Sequence, residues 1–329
     1  MKQSILKDKT YIGHGLMLFA NMIWGLNSPV AKEILNYGDG VITPVALTLF
    51  RMLGATILFW ITSLFLRKET VRHEDMLRLF FAAMLAIVFN QGSFMFGLAL
   101  TSPIDASVIA TTLPITTMII AAITIKEPIT GKKLGGVFLG ATGALILILS
   151  SYQGSKGSSS PYAVWGAMFC LIAQLSFALY LTLFKDLIQR YSPVTLLKWM
   201  FTYATICFIP FSYGDAVDID FHLLPPSILW AIAYVVGGAT FLCYLFIPIG
   251  QKTLRPTVIS MYNYVQPIVA SIFAIMIGLD TFGPTKGIAV VLVFAGVYFV
   301  TRSKSKAQLD AELAKKEAWK ILQEREEGR

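Results

Sequence analysis

Two long apolar runs, Ala106–Ile125 and Leu134–Leu149, are separated only by the short basic stretch Lys126-Glu127-Pro128-Ile129-Thr130-Gly131-Lys132-Lys133. This pairing limits the possible folds more than any other feature. About 20 apolar residues in a helix span the hydrocarbon core of a bilayer, where a helix satisfies its own backbone. A water-soluble domain has little use for two such runs so close together. Of the 329 residues, 56% are hydrophobic and 14% charged, against about 25% charged in a soluble domain. Ten runs are long enough to cross, near residues 11–32, 44–66, 76–98, 105–125, 133–150, 162–184, 194–211, 227–249, 257–278 and 285–301. The seventh is short and the tenth barely sufficient. The prediction is an all-α polytopic membrane protein with ten transmembrane helices.

The stretch beginning at Gly97 returns at Gly250. One ungapped shift of 153 residues carries Gly97 onto Gly250, Pro103 onto Pro256, Ser107 onto Ser260, Pro114 onto Pro267, Glu127 onto Asp280 and Gly143 onto Gly296. The same shift pairs Trp24 with Phe177, Lys32 with Lys185 and Glu33 with Asp186. Apolar matches arise by chance in membrane sequences; paired prolines, helix-end acids and a Lys–acid pair at one shift do not, so the chain is an internal duplication. The predicted organisation is a first five-span repeat over 1–150, a flexible Gly/Ser-rich linker over 151–161, a second five-span repeat over 162–302 and a charged tail over 303–329. Five is odd, so the second repeat crosses in the opposite sense to the first. Inverted repeats are a recurring plan of transporters, with the substrate held near the midplane between the halves.

Charge sets the orientation. With a cytoplasmic N-terminus, fourteen Lys and Arg fall in the inner loops and N-terminal segment, among them Arg67, Lys126, Lys185 and Arg255. Three, Lys32, Lys156 and Lys286, fall outside. The positive-inside bias predicts cytoplasmic termini and an external linker, in a bacterial-type inner membrane. The net charge of +8 therefore reads as membrane anchoring and not as nucleic-acid binding. The tail is expected to form a solvated helix. Cys170, Cys207 and Cys243 lie inside apolar runs without metal-ligand spacing, and no cleavable leader is expected. No cofactor or metal is predicted. The expected partners are a small-molecule substrate and the lipid bilayer; the oligomeric state is left open, a monomer included.

Candidate site residues follow from polarity at depth. Pro114 and Pro267 sit near the centres of spans four and nine, each freeing the carbonyl of the residue four before, Ala110 and Asn263. Freed backbone in a membrane faces protein or a wet cavity. Polar and aromatic residues gather in spans one, three, four, six, eight and nine, where amides are costly unless paired. The predicted lining is Trp24, Asn27, Asn90, Gln91, Thr111, Tyr180, Tyr244, Asn263 and Tyr264, around Pro114 and Pro267. Arg51 is the one ionised residue well inside a span, and it reads either as a helix anchor to backbone carbonyls or as a counter-charge near the pathway. Those six spans hold no interior carboxylate or histidine. A net-charged substrate would then arrive without a counter-ion, so a neutral or zwitterionic one is expected, moved largely uncoupled from protons. Enzyme chemistry is not expected: there is no H-E-x-x-H, no G-x-S-x-G and no paired intramembrane carboxylate. The reading kept beside transport is a receptor or a subunit of a membrane enzyme.

These residues resemble the repeat of the EamA-type drug/metabolite transporters. The resemblance rests on Gly97-Leu98, Thr101-Ser102, Ala106-Ser107, the mid-span Pro114, then Glu127, Thr130, Gly136, Gly140 and Gly143. Trp24-Gly25 with Asn27, and Arg51, match as well. It covers about residues 12–302 and implies ten spans in inverted halves and export of small metabolites such as amino acids. The second copy departs, with Tyr264 where the first has Thr111, and with no proline after Asp280. The small four-span relatives use a membrane-embedded Glu for proton coupling, which this chain lacks in span one.

Overall fold

The computed structural model describes residues 2–101, 106, 109–152, 162–276, 283–304 and 306–327, and among them there is no strand. The long helices are α1 (Lys2–Asn36), α2 (Pro44–Leu64), α3 (His73–Leu100), α4 (Leu113–Thr124), α5 (Gly131–Tyr152) and α6 (Ala163–Leu183). They continue as α7 (Pro193–Val217), α8 (Pro226–Gln251), α9 (residues 256–276), α10 (Pro284–Thr301) and α11 (Lys306–Glu327). Five of them, α2, α3, α6, α7 and α8, are long and apolar enough to cross a membrane, while α4 and α10 contain shorter apolar helices. The seventh run, which reads as short, is a 25-residue helix. Most of the linker and Asp280 lie outside the described residues.

Local sequence sets where the helices start. Thr43 and Ser192 cap α2 and α7 by accepting from the backbone N–H of Ala46 and Thr195, each followed by a proline at the first helical position. The outer faces are apolar: Ile57, Phe81, Phe138, Ile206 and Val291 are all more than half exposed. Such a surface suits lipid and would be a liability in water.

The packing has twofold logic. Helices α5 and α10 pack on each other, and so do α2 and α7. Helix α3 packs on α6 as α8 packs on α1, and α4 packs on α6 as α9 packs on α1. The 153-residue shift maps this set of contacts onto itself. Small residues set the closest approaches. A Cβ on Gly97 would stand 2.8 Å from the Gly166 carbonyl and 2.5 Å from Cys170 Sγ, and a Cβ on the equivalent Gly250 would stand 2.9 Å from Met17, the equivalent of Cys170. In the α5–α10 crossing, a Cβ on Gly136 would stand 2.8 Å from the Gly296 carbonyl, and one on Gly296 2.6 Å from the Gly136 carbonyl.

The basic loops meet at one end of the bundle. Arg190 pairs with Asp75 at 2.6 Å and Arg78 with Asp186 at 2.7 Å. Gln189 donates to the Gln251 carbonyl at 2.8 Å. Buried Glu127 pairs with Lys133 at 2.8 Å and Arg255 at 3.5 Å, and accepts from the Thr257 hydroxyl at 3.0 Å. Arg255 also donates to the Ser303 carbonyl at 2.9 Å. Helix α6 runs into the short helix Lys185–Arg190 at this end, whereas the first turns of its equivalent α1 pack there against Thr253. Equivalent helices therefore run in opposite senses.

Candidate functional site

Helices α3 and α8 are each interrupted by a π-helical stretch, Met84–Gly92 and Tyr234–Leu242. A π-turn inserts an extra residue, shifts the helical register and leaves carbonyls for other partners. Ala86 and Ala239, which the repeat makes equivalent, use theirs toward the centre of the protein. The Tyr244 hydroxyl donates to the Ala86 carbonyl at 2.8 Å, and the Trp24 indole N–H to the Ala239 carbonyl at 2.7 Å. The two rings meet edge-on with centroids 6.1 Å apart, and Phe177 meets Trp24 at 6.0 Å. One repeat thus fixes an aromatic wall on carbonyls that the other repeat has freed.

That wall bounds a cavity with about 550 Å³ of space between side chains, part of it open to solvent. Helix α1 contributes Trp24, Asn27 and Ser28; α3 contributes Asn90, Gln91 and Phe94; α6 contributes Gln174 and Phe177. Tyr244 of α8, Asn263 and Gln266 of α9, Arg51 of α2 and Ala110, which precedes α4, complete it. The repeat shift pairs Trp24 with Phe177, Gln91 with Tyr244 and Ala110 with Asn263, so the cavity straddles the pseudo-twofold relation. Its character fits a small-molecule site: aromatic faces set among convergent amides and one guanidinium.

Some of the amides are held. Asn90 donates to the Ala173 carbonyl at 2.9 Å and accepts from Tyr244 at 3.0 Å. Gln266 donates to Asn21 at 2.9 Å and Asn263 at 3.1 Å. Others are not: among the described residues, Oδ1 of buried Asn27 has no hydrogen-bond partner, and the buried Gln91 amide, which lies beside the Tyr244 hydroxyl, makes no well-formed hydrogen bond. Buried polar atoms are nearly always satisfied, so unpaired ones on a cavity wall are available to a ligand or to water.

Of the residues nominated from the sequence, Trp24, Asn27, Asn90, Gln91, Tyr244 and Asn263 share this cavity. Thr111, Pro114, Tyr180, Tyr264 and Pro267 are buried but do not line it. Pro114 begins helix α4 after a turn at residues 111–112, a position where its missing N–H costs nothing. Pro267 follows a 3₁₀ turn over Tyr262–Tyr264. Tyr180 packs against Phe177 with centroids 5.8 Å apart. Tyr264 faces α5, where its ring lies over Gly140 and its hydroxyl donates to the Val137 carbonyl at 3.2 Å. Phe94 was not among the sequence candidates, and nothing in its local sequence marks it. Phe177 could have been nominated as the repeat partner of Trp24. Among the described residues Arg51 bonds no backbone carbonyl: Nε donates to Thr240 Oγ1 at 2.9 Å and Nη1 lies 3.7 Å from Met95 Sδ.

Two inverted helical repeats closing on a polar, aromatic cavity define the carrier class of membrane protein. The model of the EamA-like transporter family matches residues 11–149 and again 164–302, and the chain belongs to that family. Among its relatives is an uncharacterized transporter, YyaM, of Bacillus subtilis (strain 168), 24% identical over 65% of this chain and 72% of its own length. Another is the WAT1-related protein At5g13670 of Arabidopsis thaliana, 22% identical over 88% of this chain and 84% of its own. A solved crystal structure superposes with a TM-score of 0.68 at 15% identity, covering 89% of this chain and 96% of the other, a likeness of fold.

Proposed function

We propose that the protein moves small neutral or zwitterionic metabolites, amino acids among them, out of or across the cytoplasmic membrane by alternating access. The cavity that straddles the pseudo-twofold between inverted repeats carries this reading. A site shared by two repeats opens to one side or the other as the repeats rock, without being rebuilt. Trp24, Tyr244 and Phe177 offer rigid contact area that tolerates different side chains, and Asn27, Gln91 and Asn263 orient polar groups. The basic end of the bundle is assigned to the cytoplasm on loop charge. The test is flux in proteoliposomes carrying the full chain, with a panel of amino acids and amphipathic metabolites. Saturable flux for at least one compound is expected. Saturable binding without flux would favour a receptor; neither binding nor flux for any compound would overturn the reading.

A further inference from the structure

The cavity lining carries one formal charge, Arg51. The residue is 4% exposed, and of its five N–H donors one serves Thr240 and one faces the thioether of Met95. Among the described residues no carboxylate pairs with it. A cation buried at depth without a counter-ion is costly, and ionised groups inside membrane proteins face a partner or a water-filled pathway. The other buried cation near a helix end, Lys133, has its carboxylate, Glu127, at 2.8 Å. The repeat shift makes Ala204 the equivalent of Arg51, so the charge belongs to one half only.

We propose that Arg51 is the counter-ion for a carboxylate of the transported molecule, so that the substrates are amino acids or small organic acids and not amines or uncharged amphiphiles. This rests on the transport reading but changes its substrate limits: uncharged compounds are excluded and small organic acids are admitted beside amino acids. A guanidinium presents a planar fork that fits a carboxylate with two parallel hydrogen bonds. A single cation matches a single carboxylate; a phosphate dianion would leave charge uncompensated. The free acceptor Oδ1 of Asn27, the Gln91 amide oxygen and the face of Trp24 can receive an ammonium group, the second end of an amino acid. Of the two readings that the sequence leaves open for Arg51, a counter-charge near the pathway is the one that its place on the cavity wall supports.

The test compares matched compounds on the full chain in proteoliposomes: amino acids and their amides, monocarboxylates and their amides, and the corresponding amines. Flux and ligand-induced shifts in melting temperature are read together. Acids should be transported and should stabilise the protein, while amides and amines do neither. Arg51→Gln should weaken acid binding by about 30-fold or more, the scale for removing one partner of a buried charge pair, and erase the acid–amide difference. Arg51→Lys should restore part of it. Thr240→Val removes the Nε acceptor but keeps the charge. It should lower the melting temperature without altering acid preference, a separation that a purely structural Arg51 would not give. The wild-type comparison stands even if Arg51→Gln fails to fold. Amides moving as well as acids, or Arg51→Gln retaining the preference, would overturn the proposal and leave transport standing. Monocarboxylates moving without amino acids would place the substrates among organic acids and keep the Arg51 assignment. Silence across the whole panel would remove both readings.

Discussion

Tyr244 shows how much of the site depends on single hydrogen bonds. Its hydroxyl serves the Ala86 carbonyl and the Asn90 amide, so it holds one π-helical stretch and orients one cavity amide together. Tyr244→Phe keeps the ring and leaves a buried carbonyl unpaired, which costs roughly 1–3 kcal/mol. The expected outcome is a lower melting temperature together with a raised half-saturation concentration for transport. A variant unchanged in both would show that the hydroxyl positions nothing. Polarity at depth made Asn27, Asn90, Gln91 and Asn263 legible in the sequence, because an amide in a membrane span needs a reason. It misled at Tyr264, since consecutive residues of a 3₁₀ turn point about 120° apart. With Asn263 turned to the cavity, Tyr264 turns to α5. The complementary signal was there in Gly140, whose missing side chain makes room for the ring: a Cβ would come within 2.4 Å of it.

Among the elements, α5 and α10 cross with backbone nearly touching backbone, and adjacent glycines on α5 do different jobs. A Cβ on Gly136 meets the Gly296 carbonyl at 2.8 Å, whereas one on Gly135 meets nothing within 4 Å. Gly136→Val should therefore destabilise by about 1–3 kcal/mol, the usual range for overpacking, and more if the helices separate. Gly135→Ala should be neutral or stabilise by up to about 1 kcal/mol through helix propensity. Thermal unfolding of the two variants in detergent checks the contrast; equal effects would mean the crossing is looser than described. The glycine pattern, the repeat and the apolar runs made this architecture readable in advance. The π-helical stretches were not readable. An extra residue in a turn has no compositional signature, and Met84–Gly92 reads as ordinary apolar helix in sequence. That is why the carbonyls of Ala86 and Ala239 could not be nominated while their donors could.

At the scale of the whole molecule, charge is sorted by end. Arg67, Lys126, Lys185 and Arg255 belong to loops gathered at one end, and the opposite end is joined by the Thr43 hydroxyl donating to Asp215 at 2.7 Å. With the native cysteines replaced, Arg67→Cys should react with an impermeant reagent only from the cytoplasm and Asp215→Cys only from outside; the reverse pattern would overturn the orientation. The same sorting bears on energetics. Proton-coupled carriers use an ionisable group at depth whose charge follows the conformation. Among the lining residues, Arg51 keeps its proton at any ordinary pH. Glu127 is off the cavity, at the basic end, clamped by Lys133, Arg255 and Thr257. A proton on it would weaken the ion pairs that tie the loop after α4 to Lys133 of α5 and to Arg255 just before α9, and would bring no charge change to the substrate. Flux should therefore follow the substrate gradient, with little response to an imposed pH gradient. Because a zwitterion carries no net charge across, an amino acid should also move without response to membrane potential, whereas a monocarboxylate should respond to it. Proteoliposomes with clamped pH and potassium-diffusion potentials measure both. Uphill accumulation driven by the pH gradient alone, abolished in Glu127→Gln, Glu33→Gln or Asp280→Asn, would reverse this conclusion and identify the residue that couples transport to protons.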